Sequence, residues 1–138
     1  MDVTDIPFNK FIEITASNSN DTGLELEFKD NLKNHLGTFH ASAQFALAEA
    51  CSGQLLQKQF PHLENSVVPV LRKSDINFKR PAQSKILANA TIDADTKIKF
   101  ETQFEKKGRA TISVPVEIKD HEGIITMSGT YEWFIQKL

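Results

Sequence analysis

With 138 residues, 40% hydrophobic and 25% charged, the chain has the length and balance of one globular domain spanning 1–138, able to bury a core without covalent staples. Sixteen basic residues against 18 acidic ones, net −2, argue against a general nucleic-acid binder, and a single cysteine excludes an intramolecular disulfide or a Cys-rich zinc site. The four histidines lack metal-ligand spacing, so no metal is expected, and no run reaches the roughly eighteen apolar residues of a membrane span. The opening Met1-Asp2-Val3-Thr4-Asp5 is acidic, unlike a secretory signal, so a cytoplasmic location is expected.

In chain order, Pro7 to Ile14 suits a short helix, and Asn18, Ser19, Asn20 and Asp21 mark a loop. Leu24, Leu26 and Phe28 alternate with charged residues, the period of a half-buried strand. Ala41 to Gln57 is rich in Ala and Leu and free of β-branched residues and proline, which predicts a helix. Its apolar residues cover most of the circumference, as in a buried helix. Val67 to Phe78 reads as a long strand, and Ile86, Ala88, Ala90 and Ile92 line one face of the next. Ile98, Phe100, Thr102 and Phe104 also alternate, which favours a strand; Asp95 as a helix cap makes a short helix the alternative. Lys106-Lys107-Gly108 reads as a turn. Ala110 to Ile118 forms an inward row, with Pro115 on the other face at an edge or bulge. Asp120 to Gly123 is a hairpin turn, and Ile125, Met127, Tyr131, Trp133 and Ile135 share a face of the last strand. One buried helix among strands joined by short connections is an α+β architecture with an antiparallel sheet.

Charge is unevenly spread. Residues 72–109 carry ten basic residues, among them Lys79, Arg80, Lys107 and Arg109, and five acidic ones; this surplus of +5 leaves the rest of the chain at −7. Such a bias suits either a solvated face or a landing zone for a small anionic ligand.

Glu49 is the only formal charge between His40 and Lys58. A carboxylate in a buried Ala/Leu helix must be satisfied structurally or serve as an acid or base in an apolar cleft. Gly37 relaxes the backbone before the helix and Ser42 is a plausible cap. The first backbone N–H groups, near Ala41 to Ala43, form donors at the positive helix end that suit an oxyanion. Eight residues separate Ala41 from Glu49. That is roughly 12 Å of helix, whereas both groups must lie within about 3 Å of the reacting atoms. An antiparallel helix from a second subunit would bring them together, so an enzyme built on these groups requires a dimer.

Asn34, Gly37, His40 and the small residues after it, with Glu49 nine positions beyond His40, resemble the helix motif of hotdog-fold acyl-CoA thioesterases, the phenylacetyl-CoA-thioesterase-like branch above all. Phe78-Lys79-Arg80-Pro81-Ala82, Gly108-Arg109 and Asp120-His121-Glu122-Gly123 are similar to that family's later strand ends and turns, so the resemblance covers about residues 22 to 136. It implies a hotdog: a long central helix wrapped by a curved antiparallel sheet of five to six strands, assembled as a homodimer or dimer of dimers. It implies hydrolysis of an acyl thioester carried by coenzyme A or acyl-carrier protein, with CoA part of the substrate and no separate cofactor. Glu49 would be the base or nucleophile and the Ala41 N–H the carbonyl donor. Asn34 would orient the carboxylate or water, and His40 would hold the turn or position substrate. Lys79, Arg80, Lys107 and Arg109 would meet the CoA phosphates. Ala41-Ser42 stands where the family has Gly-Gly, and Glu49 where many relatives have Asp. Two other functions stay open. One is a hotdog dehydratase or hydratase pairing His35 with Glu49; the other is a non-catalytic acyl-CoA binder. Cys51 reads as a small buried hydrophobe, Tyr131 and Trp133 as packing, and His62 and His121 as surface residues.

Overall fold

The computed structural model describes residues 1–19 and 22–138; Asn20 and Asp21, expected in a loop, lie outside the described residues. After a 3-10 turn at Val3–Asp5 come α1 (Pro7–Phe11), β1 (Thr15–Ala16) and β2 (Leu24–Leu26), then α2 (Ala41–Gln59). β3 (Val67–Phe78), β4 (Ile86–Ala90), α3 (Ala94–Lys107), β5 (Arg109–Lys119) and β6 (Ile125–Lys137) follow. Among the described residues the six strands pair antiparallel in the order β1-β2-β4-β5-β6-β3.

α2 is the axis of the core. It packs against β2, β4, β5 and β6. Leu47, Ala48 and Cys51 are fully buried, as are Val114, Ile118, Met127 and Tyr131 from the sheet. β5 alternates buried and exposed residues along its whole length, as the sequence period predicts. The Pro115 carbonyl accepts the Thr91 N–H on the β4 side, and Val116 is the last residue paired with β4. Thr91 lies opposite Pro115 in the same register, so the missing Pro115 N–H removes only the return bond to the Thr91 carbonyl, at the point where the β4 pairing ends.

The strand expected over Ile98–Phe104 is a helix. Two ends and one face decide it. The Asp93 side chain, not Asp95, caps the start by accepting the Thr96 N–H at 2.7 Å. Gly108 closes the end with φ 68, its N–H donating to the Phe104 carbonyl at 2.8 Å. Lys106 and Lys107 form the last helical turn, not a loop, and favour the negative helix end. The spacing of Phe100 and Phe104 serves a helix as well as a strand. Their rings stack at 5.6 Å, and Phe100 lies 4.8 Å from the Phe60 ring at the end of α2. Ile98, which alternation would place beside Phe100, is 62% exposed.

Among the described residues β3 is the outer strand on its side, paired only with β6. Its Val68, Val70 and Phe78 are exposed. β6 passes very close to it at Gly129: a Cβ there would run into the Asp75 carbonyl and lie 2.9 Å from the Ile76 Cα. Only a residue without a side chain permits that approach.

Candidate functional site

The approach to α2 is organised by Asn34. Its side-chain oxygen accepts the N–H groups of Leu36 and Thr38 at 2.9 and 3.1 Å. Its amide nitrogen donates to Thr38 Oγ1 and the Phe39 carbonyl at 2.8 and 3.3 Å. Those four bonds exhaust the hydrogen-bonding capacity of an amide. Within the protomer, Asn34 therefore holds the turn that contains Gly37 (φ 76) and has no valence left to orient a water or carboxylate. Asn34→Ala is expected to destabilise the fold by about 1–3 kcal/mol, because the turn N–H groups lose their acceptor. Urea unfolding measures this. An unchanged midpoint combined with lost activity would instead assign Asn34 a direct role.

His40 occupies the cap position expected of Ser42. Its ring Nδ1 accepts the Ser42 N–H at 2.9 Å, which places the proton of the neutral ring on Nε2. The His40 carbonyl takes the N–H groups of Ala43 and Gln44. Among the described residues nothing accepts from the Ala41 N–H, and Ala41 is exposed. The positive end of a 19-residue helix thus presents one free donor.

Two turns further along, Glu49 is half-buried, with no ion pair or hydrogen bond to its carboxylate among the described residues. Burial raises its pKa above the ordinary carboxylate value. It lines a cavity of about 350 Å³ whose other walls are mostly apolar. Beside it, the Tyr131 hydroxyl donates to the Phe45 carbonyl at 2.9 Å. Burial first, and the Glu49 charge second, push that hydroxyl's pKa up, so it stays protonated.

Ala41 and Glu49 lie on one face of α2, in a row with Phe45 between them and Gly53 beyond. Their separation of roughly 12 Å along the helix remains, so one protomer does not bring donor and carboxylate together.

The four basic residues divide into two pairs, all exposed. Lys79 and Arg80 both bond through their N–H groups to the Thr126 carbonyl, and Ala82 accepts the Phe39 N–H at 2.8 Å. This pair therefore shares an end of the molecule with the start of α2. Arg109 pairs with Gln136, ten residues along β6 from Thr126. That is roughly 33 Å of strand, so Lys107 and Arg109 sit at the opposite end.

His35 is exposed at the turn before α2 and does not line the Glu49 cavity. The Cys51 thiol is buried, near the Ala88 carbonyl, and burial pushes its pKa up to about 11, which makes it unreactive. Among the described residues no group of His, Cys, Asp and Glu could hold a metal ion, and no helix is long and apolar enough to cross a membrane. Sequence reasoning missed the contribution of Val3, Ile6 and Asn9 to the cavity. Those residues carry no local signal for it, because they reach α2 only through the tertiary fold.

A family model described as a domain of unknown function, DUF4442, matches residues 6–135. No curated protein matches the chain. Among solved structures, a Pseudomonas aeruginosa protein of unknown function, described as a probable thioesterase, superposes with TM-score 0.82 at 23% identity, covering 99% of this chain and 91% of that one. A Bacillus halodurans protein solved with CoA gives TM-score 0.73 at 18% identity, over 93% of this chain and 74% of that one. A Haemophilus influenzae thioesterase gives TM-score 0.73 at 18% identity, over 99% and 87%. Likeness at these identities establishes the fold alone: a hotdog, with the central helix and wrapping antiparallel sheet that the sequence led us to expect.

Proposed function

The chain belongs to the DUF4442 family, and from that membership, its hotdog fold and the setting of Glu49 we propose that it is a thioester hydrolase acting on acyl-CoA. The observation that carries this reading is Glu49, an unpaired carboxylate with a raised pKa in the wall of an apolar cavity. A carboxylate so placed is poised to take a proton at neutral pH. Glu49 removes a proton from water, the hydroxide adds to the thioester carbonyl, and the carbon–sulfur bond breaks. The thiolate then takes up a proton, leaving a carboxylic acid and free CoA. Direct attack by Glu49, with water cleaving the resulting anhydride, uses the same placement.

The carbonyl oxygen needs a donor where charge develops, and the free Ala41 N–H is of the right kind. Because it lies two turns from Glu49, the donor comes from the partner's Ala41 across an antiparallel helix pair. The active unit is thus a homodimer, alone or within a dimer of dimers. The outer edge of β3 supports this assembly, since an edge strand carrying exposed Val68, Val70 and Phe78 is suited to pairing with another chain. Lys79 and Arg80, or Lys107 and Arg109, meet the CoA phosphates; at their separation one CoA meets one pair per chain. The name of the Haemophilus neighbour and the CoA on the Bacillus neighbour support this reading.

The Ala41-Ser42 pair, which narrows the carbonyl approach relative to Gly-Gly, favours a second reading: an acyl-CoA binder without turnover. One experiment separates the two. Incubation with a panel of acyl-CoAs, followed by free-thiol release and by light scattering, should show turnover by a dimer or larger assembly. In the same assay, charge reversal at a contacting pair should raise KM more than it lowers kcat. Tight binding without thiol release assigns the second reading, and an active monomer overturns the shared site.

A further inference from the structure

Glu49 stands on a turn of α2 that is held from outside the helix at two points. In an α-helix the Phe45 carbonyl takes the Glu49 N–H, and the Glu49 carbonyl takes the Gly53 N–H. Here both carbonyls accept a second bond. The Tyr131 hydroxyl donates to the Phe45 carbonyl at 2.9 Å, and the Ser52 hydroxyl donates to the Glu49 carbonyl at 2.7 Å. Ser52 is itself held, since its oxygen accepts the Trp133 indole N–H at 2.9 Å. Tyr131 and Trp133 are two residues apart on the inward face of β6, and both lie within its ladders to β5 and to β3. The backbone on each side of Glu49 is thus tied to a strand that is paired along both edges.

The side chains that make these ties are costly where they sit. Tyr131 and Ser52 have no exposed surface, and Trp133 is almost as deeply buried. A buried hydroxyl or indole N–H gives up water, and its new bond does little more than offset that loss. A serine that bonds back to a carbonyl of its own helix also weakens the helix slightly. Phenylalanine and alanine would fill nearly the same space without those costs. The Phe45 and Tyr131 rings already meet edge to face at 5.1 Å, so packing does not need the hydroxyl. What the polar groups add is a fixed distance and direction between β6 and the turn that carries Glu49.

We propose that Tyr131, Ser52 and Trp133 are positioning residues that hold the Glu49 carboxylate in its working place, a task beyond the packing expected of the two aromatics. The reaction they serve rests on the thioester reading above. They act through the Glu49 backbone, not by contact with the reacting atoms. Their leverage is large, because a displacement of about 1 Å in a catalytic group can cost about a hundredfold in rate.

The test removes one tie at a time. Tyr131→Phe deletes the hydroxyl that reaches Phe45, and Ser52→Ala deletes the one that reaches Glu49. Each should lower kcat on the best acyl-CoA about tenfold and leave KM within about twofold, since substrate binding is not what they support. Ile86→Val trims a buried residue of β4 that makes no tie to this turn; it should lower the urea midpoint with kcat unchanged. Titration of the Glu49 carboxylate by carbon NMR gives a reading independent of turnover. Its raised pKa comes from burial, so in both tie variants it should fall toward 4.5 as the loosened turn lets water reach the group. Unchanged kcat in both variants, a loss carried by KM, a kcat loss matched by Ile86→Val, or an unmoved titration overturns the proposal. If Tyr131→Phe does not fold, Ser52→Ala decides. If the wild type hydrolyses no acyl-CoA, the titration alone decides: a fall leaves the positioning role standing and removes the hydrolase reading, and no fall removes the positioning role.

Discussion

Glu49→Gln lowers acyl-CoA hydrolysis by roughly 10²–10⁴-fold, the expected loss when a general base or nucleophile is replaced by a near-isosteric neutral amide. The fold and assembly persist, because no ion pair depends on that carboxylate. The pH dependence of stability distinguishes this from general damage. Burial raises the folded-state pKa of Glu49 above 4.5, its ordinary value. The folded state therefore binds the proton more tightly than the unfolded chain, and wild-type stability falls as pH rises between the two values. Glu49→Gln escapes that penalty. Its stability relative to wild type should be lowest below about pH 4.5, rise between there and the raised folded-state value, and level off above it. Thermal unfolding across that range measures the difference. A folded Glu49→Gln dimer with near-normal turnover would defeat the catalytic assignment.

Gly129→Ala is expected to cost about 3 kcal/mol, at the upper end of overpacking penalties, and thus a large share of a typical domain's stability. The added methyl meets the end of the Ile76 side chain, which can move, but also the backbone of β3 at Asp75 and Ile76, which cannot swing away. Relief requires prying β3 from β6, which breaks ladder bonds on both sides of the pinch. A fall in the urea midpoint at unchanged slope is the expected reading. A loss below about 0.5 kcal/mol would mean that the two strands do not approach so closely in solution.

The two long helices show what a sequence makes legible. α2 could be read directly, because Ala and Leu without β-branched residues or proline leave little room for a strand, and Glu49 stands out against that background. α3 could not. Ile98, Phe100, Thr102 and Phe104 satisfy a period of two, and the rival helical pairing of Phe100 with Phe104 gains its weight only from Phe60, whose ring lies across the fold from a different helix. The caps that settle the matter, Asp93 and Gly108, lie outside the alternating segment.

At the site, residue chemistry pointed to Glu49 and the helix start, while partner assignments were harder. Which side chain caps α2 depends on the reach of the His40 ring, and the full commitment of Asn34 to its own turn depends on four simultaneous bonds. The cavity beside Glu49 was invisible, since its walls come from residues 1 to 9, the second half of α2, residues 60 to 69 and the end of β6. No local pattern records that meeting.

The pairing of β3 also constrains the order in which the molecule can be assembled. Val67 meets Lys137 and Phe78 meets Met127, so every bond of this ladder joins segments about fifty to seventy residues apart. During synthesis β3 is complete well before β6 exists, and its Val-rich run must wait without its only strand partner. Closing so large a loop costs entropy before any contact repays it, which makes docking of β3 a slow, late event. The interval is one in which an unpaired apolar strand is open to pairing with the wrong chain, and the yield of soluble protein should depend more on β6 substitutions that delay this docking than on equally destabilising changes elsewhere.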